Sequence, residues 1–103
     1  MNYTENFEGI KLDVQAADID VSDELQQEIR NVIGRLKRHV SKVNFVDVYF
    51  TDKSEKSTDA KNVGIRFGIP GNDAYASDSG GNWMELLKNV EEKLRRQLMK
   101  IDR

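Results

Sequence analysis

Apolar and polar residues change their period along this chain in an orderly way, and the changes mark out its elements. From Ile10 to Ala16 (IKLDVQA) the two kinds alternate, which predicts a strand with one covered face. Between Ser22 and Lys42 the period lengthens. Leu25, Ile29, Ile33, Leu36 and Val40 recur at spacings of three and four, placing them on one face of a helix. Ser22 suits the N-cap, Asp23 and Glu24 suit the positive end of the helix dipole, and Gly34 is a tolerated weak point within the helix. Alternation returns where Val46, Val48 and Phe50 interleave with Phe45, Asp47 and Tyr49, predicting a second strand. Asp52 to Asp59 reads as a charged turn region, Ala60 to Ile69 as a third strand ended by the Pro70-Gly71 turn pair, and Asp73 to Ser77 as a short fourth strand. Ser79, Gly80 and Gly81 read as a flexible connection. Asn82 followed by Glu85 is a variant capping box that opens a last helix reaching Arg103, with Trp83, Leu87, Val90, Leu94, Leu98 and Ile101 as its apolar row. The polar leader Met1 to Gly9 is expected to fray.

The order β-α-β-β-β-α places the chain in the α+β class, with a four-stranded mixed sheet and two helices packed on one face. The first two strands, joined through a helix, should be parallel with a right-handed crossover, and the tight later connections imply antiparallel neighbours. Each helix has one apolar row, so both should cover the same sheet face and leave the other wetter. Phe45 and Tyr49 then stand on the open face with Asp47. They read as surface aromatics with cross-strand partners rather than a base-stacking platform, because no basic residue is interleaved beside them in sequence. A chain of 103 residues suits one domain with a single core, residues 1–103, and is too short for two.

Charge adds a second layer. The formal net charge is -2, but residues 1–21 hold one basic and five acidic residues, and residues 43–81 four basic and six acidic. The helices reverse this: residues 22–42 hold five basic and three acidic residues, and residues 82–103 six basic and four acidic. The excess also recurs at helical spacing. Arg35, Arg38 and Lys42 form one exposed row, and Lys93, Arg96, Lys100 and Arg103 form another. Cations near a helix C-terminus suit the dipole, but that accounts for one or two per helix and not for a row. Two such rows on one small domain predict a polyanionic partner, with the rows side by side as a joint landing surface.

Composition narrows the remaining classes. A hydrophobic fraction of 38%, a charged fraction of 33% and a single proline predict a soluble globular protein. The absence of cysteine excludes disulfides and thiolate metal sites. No apolar run approaches the ~18 residues of a membrane span, and Met1 to Gly9 is too acidic and polar for a signal peptide, so the cytoplasm is the expected location and no membrane partner is expected. His39, the sole histidine, lies in a basic helical run and makes a poor general base. The acid pairs Asp18 with Asp20 and Asp52 with Glu55 lie in turns without a histidine or a second acidic cluster. Gly80 and Gly81 before a helix could cradle a phosphate, but Asn82 acting as a cap accounts for them more simply. No Gly-rich nucleotide loop or nucleophile elbow is present. The chain is therefore expected to be no enzyme and to take no metal, cofactor or small-molecule substrate.

Residues Leu12 to Val43 (LDVQAADIDVSDELQQEIRNVIGRLKRHVSKV), then VNFVDVYF, IPGNDAYAS and VEEKLRRQLMK, resemble the ribosome hibernation promoting factor family, also called ribosome-associated translation inhibitors or sigma-54 modulation proteins. The resemblance spans about nine-tenths of the chain, Ile10 to Ile101. It implies a β-α-β-β-β-α fold similar to double-stranded RNA-binding domains, and a factor that binds the small ribosomal subunit in the channel of mRNA and tRNA, silencing ribosomes in stationary or stressed cells. By position it implies that Lys37, Arg38, Lys93, Arg96 and Lys100 meet ribosomal RNA; Arg35, Lys42 and Arg103 join them on the row argument alone. The chemistry fits, because A-form RNA hides its base edges and is read through phosphates and 2′-hydroxyls. A monomer is the favoured state. The acidic total charge, and the lack of cations from Ser77 to Gly81 where many relatives carry lysines, keep open a second reading. In it, a diverged member with weak ribosome affinity serves as a protein interaction or regulatory domain.

Overall fold

The computed structural model describes residues 1–53 and 60–101, apart from the side chain of Ile101. Its elements are β1 (Tyr3–Phe7), β2 (Ile10–Gln15), α1 (Asp23–Leu36), a 3-10 turn (Lys37–His39), β3 (Phe45–Asp52), β4 (Lys61–Gly68), β5 (Ala74–Gly80) and α2 (Trp83–Ile101). The strands form a five-stranded sheet in sequence order. β2 and β3 are parallel, and every other neighbouring pair is antiparallel. The expected α+β class, mixed sheet and helix positions hold, but the sheet has five strands and not four.

The fifth strand is the leader that was expected to fray. Tyr3 and Phe7 face the helices and pack on the core, while Glu5, between them, reaches Arg30 of α1 in a two-bond ion pair at 2.8 and 3.0 Å. A charged residue at the middle inward position masked the alternation. That position is satisfied only by a cation 25 residues away. Thr4 donates to Asp13 at 2.9 Å, and Asn2 accepts the Ala16 amide at 2.8 Å, tying β1 further to β2. The turn between β1 and β2 consists of Glu8 and Gly9, both at positive φ (51° and 87°), the mirror-image turn that suits hairpin twist. Gly9 adopts this conformation without strain, whereas Glu8 bears a cost of about 1–2 kcal/mol that asparagine largely avoids.

Two boundaries also shift. α1 ends at Leu36, tightens into the 3-10 turn and releases Val40 in an extended conformation with φ -136°. The four-residue step from Leu36 to Val40 imitated another helical turn, but Lys42 lies beyond the helix. β5 runs to Gly80 because β4 begins at Lys61 and carries the ladder that far, with Asn62 donating to Ser79 at 2.8 Å. Ser79 and Gly80 are thus strand, not loop. The predicted turn from Asp52 to Asp59 lies largely outside the described residues. Both predicted caps form: Ser22 accepts the Leu25 amide at 3.1 Å and Asn82 the Glu85 amide at 3.0 Å.

The core lies between one sheet face and both helices. Leu12, Val48, Ile65 and Phe67 from the strands meet Ile29, Ile33, Leu87, Leu94 and Leu98 from the helices, each removed from solvent. At about 1.5–3 kcal/mol for each such side chain, this contact holds the helices in place. Trp83 caps one end of it, edge-on to Phe50 at 5.2 Å with the Lys61 ammonium 5.5 Å from its ring centre. On the open face, Phe45 lies across Gly68 so closely that a Cβ there would stand 2.1 Å from the ring. Only glycine fits, and the cross-strand role expected of Phe45 is filled by its neighbour's backbone.

Candidate nucleic-acid interface

Contacts fix the direction of each helix. Asn89, Lys93 and Gln97 of α2 meet Asp78, Ser77 and Tyr75 in turn, so α2 runs against β5. Arg30 meets Glu5 and Gly34 lies beside Phe7, so α1 runs with β1 and against β2. Because β2, β3 and β5 point the same way, the helices are broadly parallel and both C-termini lie at one end of the molecule. Arg35, near the end of α1, contacts Glu91 in mid-α2. The ten residues from Glu91 to Ile101 carry α2 about 15 Å further, past the 3-10 turn.

This arrangement sorts the predicted cations into two kinds. Arg35 lies in the seam between the helices: its Nε is 2.7 Å from one Glu91 oxygen, a terminal nitrogen donates to the other at 2.9 Å, and the same nitrogen reaches Glu28 at 3.3 Å. The bond to Glu91 raises the guanidinium pKa further, so Arg35 is a charged clasp between the helices, with Nε and one terminal nitrogen engaged and the side chain half exposed. Lys37 forms an ion pair with Glu8 on the β1–β2 turn. Lys93 donates to the Ser77 carbonyl at 2.8 Å and lies 3.7 Å from Asp78. Asp78 is held below the usual carboxylate range by the Asn89 amide first, and by the Ser79 backbone and Lys93 after it. Arg96 is 3.2 Å from Glu92, a carboxylate held low chiefly by its bonds with Arg95.

Arg38, Lys42 and Lys100 stand apart. All three are exposed, and none has a carboxylate at ion-pair distance among the described residues. Arg103 lies outside the described residues.

The expected side-by-side rows are not what forms. Glu91 faces α1 while Lys93, two residues on and about 200° round the helix, faces β5, and Arg96 and Lys100 share the Lys93 flank. Arg35 is on the seam side, separated from that flank by α2 itself. What the parallel helices do assemble is a cationic end, with Arg38 and Lys42 after α1 and Lys100 near the end of α2. Next to it, a groove of about 330 Å³ runs between the β1–β2 turn and the 3-10 turn, lined by Glu8, Lys37, Arg38, Ser41 and Lys42 among others. Sequence reasoning missed the carboxylates that partner these cations. The pairing of Glu92 with Arg95 and Arg96 was readable as steps of three and four along one helix; those of Arg35 with Glu91 and of Lys37 with Glu8 required the fold.

His39 is half-buried at the 3-10 turn, and among the described residues no three histidine or acidic side chains gather as a metal site. No helix is long and apolar enough to cross a membrane. A two-layer α+β domain with a cationic end defines a binding module. Residues 12–103 match the sigma 54 modulation protein / S30EA ribosomal protein family, and the chain belongs to that ribosome-associated family. The N-terminal domain of Thermus thermophilus Protein Y has the same fold, with a TM-score of 0.71 at 13% identity over 86% of this chain and 92% of that one. A ribosomal subunit interface protein from Coxiella burnetii is similar, with a TM-score of 0.65 at 16% identity over 86% of this chain and 93% of that one. No curated protein matches. The family match begins at Leu12, leaving β1 and its turn outside it.

Proposed function

We propose that the protein docks on the small ribosomal subunit through its cationic end, contacts ribosomal RNA phosphates there, and thereby keeps the subunit from translating during stationary phase or stress. The observation that carries this reading is that Arg38 and Lys42 after α1, and Lys100 on the outer flank of α2, all unpaired among the described residues, lie at the common C-terminal end of two parallel helices. Phosphate contact needs donors that are not already satisfied, and among the predicted cations these three have no carboxylate partner in the described residues. Lys93 and Arg96 flank them in weaker, exposed ion pairs that a phosphate can exchange, since such pairs contribute about 0–1 kcal/mol. Family membership supports a ribosomal partner in the cytoplasm. The protein acts as a monomer without cofactor, metal or small-molecule substrate.

Sedimentation with purified small subunits tests this. At about 50 mM salt the protein should travel with the subunit and should leave it as salt rises, because each phosphate contact releases counterions. Addition to a cell-free translation reaction should lower its output in proportion to occupancy. Protein remaining at the top of the gradient at low salt would refute the reading. The second reading, a diverged member that binds protein partners, draws on the ion pairing of Arg35, Lys37, Lys93 and Arg96. It predicts that Lys93→Glu, Arg96→Glu and Lys100→Glu together leave partner binding intact, whereas the first predicts that they abolish subunit binding.

A further inference from the structure

The β1–β2 turn carries a residue that the turn itself does not favour. Glu8 holds a φ of 51°, in a turn where asparagine or glycine would be unstrained, and its carboxylate pairs with Lys37, both residues lining the adjoining groove. Arg38 and Lys42 line the same groove without a carboxylate partner among the described residues. Three cations therefore surround one opening, and a single anion from the protein's own chain sits on one of them. That anion lies on a hairpin turn outside the residues matched to the family.

We propose that this groove is a binding subsite for an RNA phosphodiester, formed by Lys37, Arg38 and Lys42, and that Glu8 holds Lys37 back from the phosphate. The proposal rests on the reading that the protein docks on ribosomal RNA. Its ligand is a backbone phosphate, which needs charge and N–H donors without base-specific geometry. The Ser41 hydroxyl, in the same lining, supplies a further donor. With Lys37 held by Glu8, one fewer phosphate is neutralised on docking, so Glu8 lowers both the affinity and the salt dependence.

The test compares full-length wild type, Glu8→Gln and Glu8→Asn by fluorescence anisotropy against purified small subunits between about 50 and 200 mM salt. Both variants remove the charge, and the asparagine also suits the turn. Both should bind more tightly than wild type and steepen the slope of log affinity against log salt by about 0.9. The ratio of variant to wild-type affinity then grows about threefold from the highest salt to the lowest. Adding Lys37→Gln to Glu8→Gln should return the slope to the wild-type value. A turn with only a structural role would shift the melting temperature and leave the slope unchanged. If wild type binds and Glu8→Gln matches it in affinity and slope, the groove receives no phosphate and the proposal is overturned, with subunit docking intact. If none of the proteins binds at low salt, the docking reading fails and the subsite with it.

Discussion

Arg35 and Arg38 are one helical turn apart in sequence, carry the same guanidinium and were expected in the same row, yet the fold gives them opposite surroundings. Arg35 bridges the seam half exposed, with Nε and one terminal nitrogen held by Glu91 and Glu28; Arg38 follows the last turn of α1, where no acid reaches it among the described residues. Helical spacing decides which side of a helix a cation leaves from. The neighbouring element decides whether that side faces water or a carboxylate. In this domain α2 lies against the Arg35 side and ends the resemblance between the two arginines.

The largest effect that separates these two regions should come from reversing the charges at the exposed end. Arg38→Glu, Lys42→Glu and Lys100→Glu together should cut the salt slope of subunit binding by about three, bring sedimentation with subunits to background, and leave the melting temperature near its wild-type value. A large fall in melting temperature would mean that these residues also hold the fold together. Arg35→Ala should do the converse. Losing a two-pronged pair that is half exposed should cost about 1 kcal/mol or less after allowance for solvent screening, seen as a small drop in the urea midpoint with the binding slope unchanged.

Acid should act on the carboxylates that partner the cations and not on the exposed end. Glu5 is held below its ordinary range by its bond to Arg30, and Asp78 by its bond to Asn89. A depressed folded-state pKa contributes stability that is fully present above the unfolded value, near 4, and is lost as pH falls through the folded value. The melting temperature should therefore stay level from about pH 7 to 5 and fall below about 4, with Glu5→Gln flattening part of that fall. The smallest effect is local: in Glu5→Gln, amide exchange in Tyr3–Phe7 should quicken while that of β3 and β4 stays slow, because β1 loses its tie to α1 and the central strands do not.

Most of the architecture was legible in the sequence because it depends on period and punctuation. The alternation of β2 and β3, the 3.6-residue rows of both helices, and the caps at Ser22 and Asn82 are local signals with local causes. β1 was not legible, since its inward glutamate resembles a polar leader until Arg30 is brought beside it. The end of α1 was misplaced because Val40 continues the helical spacing while packing from an extended backbone. For the candidate interface, residue type and approximate position were readable, but ion-pair partners were readable only within a helix. Glu92 with Arg96 is four residues away; Glu91 with Arg35 is 56 residues away, and that longer pair separates a partnered cation from the unpartnered Arg38.

The salt dependence of small-subunit binding, measured for Arg38→Gln and Arg35→Gln side by side, bears most directly on the account. The uncommitted arginine after α1 should prove to be the RNA contact, so Arg38→Gln should lower the slope by about one while Arg35→Gln leaves it at the wild-type value. A lowered slope for Arg35→Gln with none for Arg38→Gln would show that the seam, and not the exposed end, meets the ribosome.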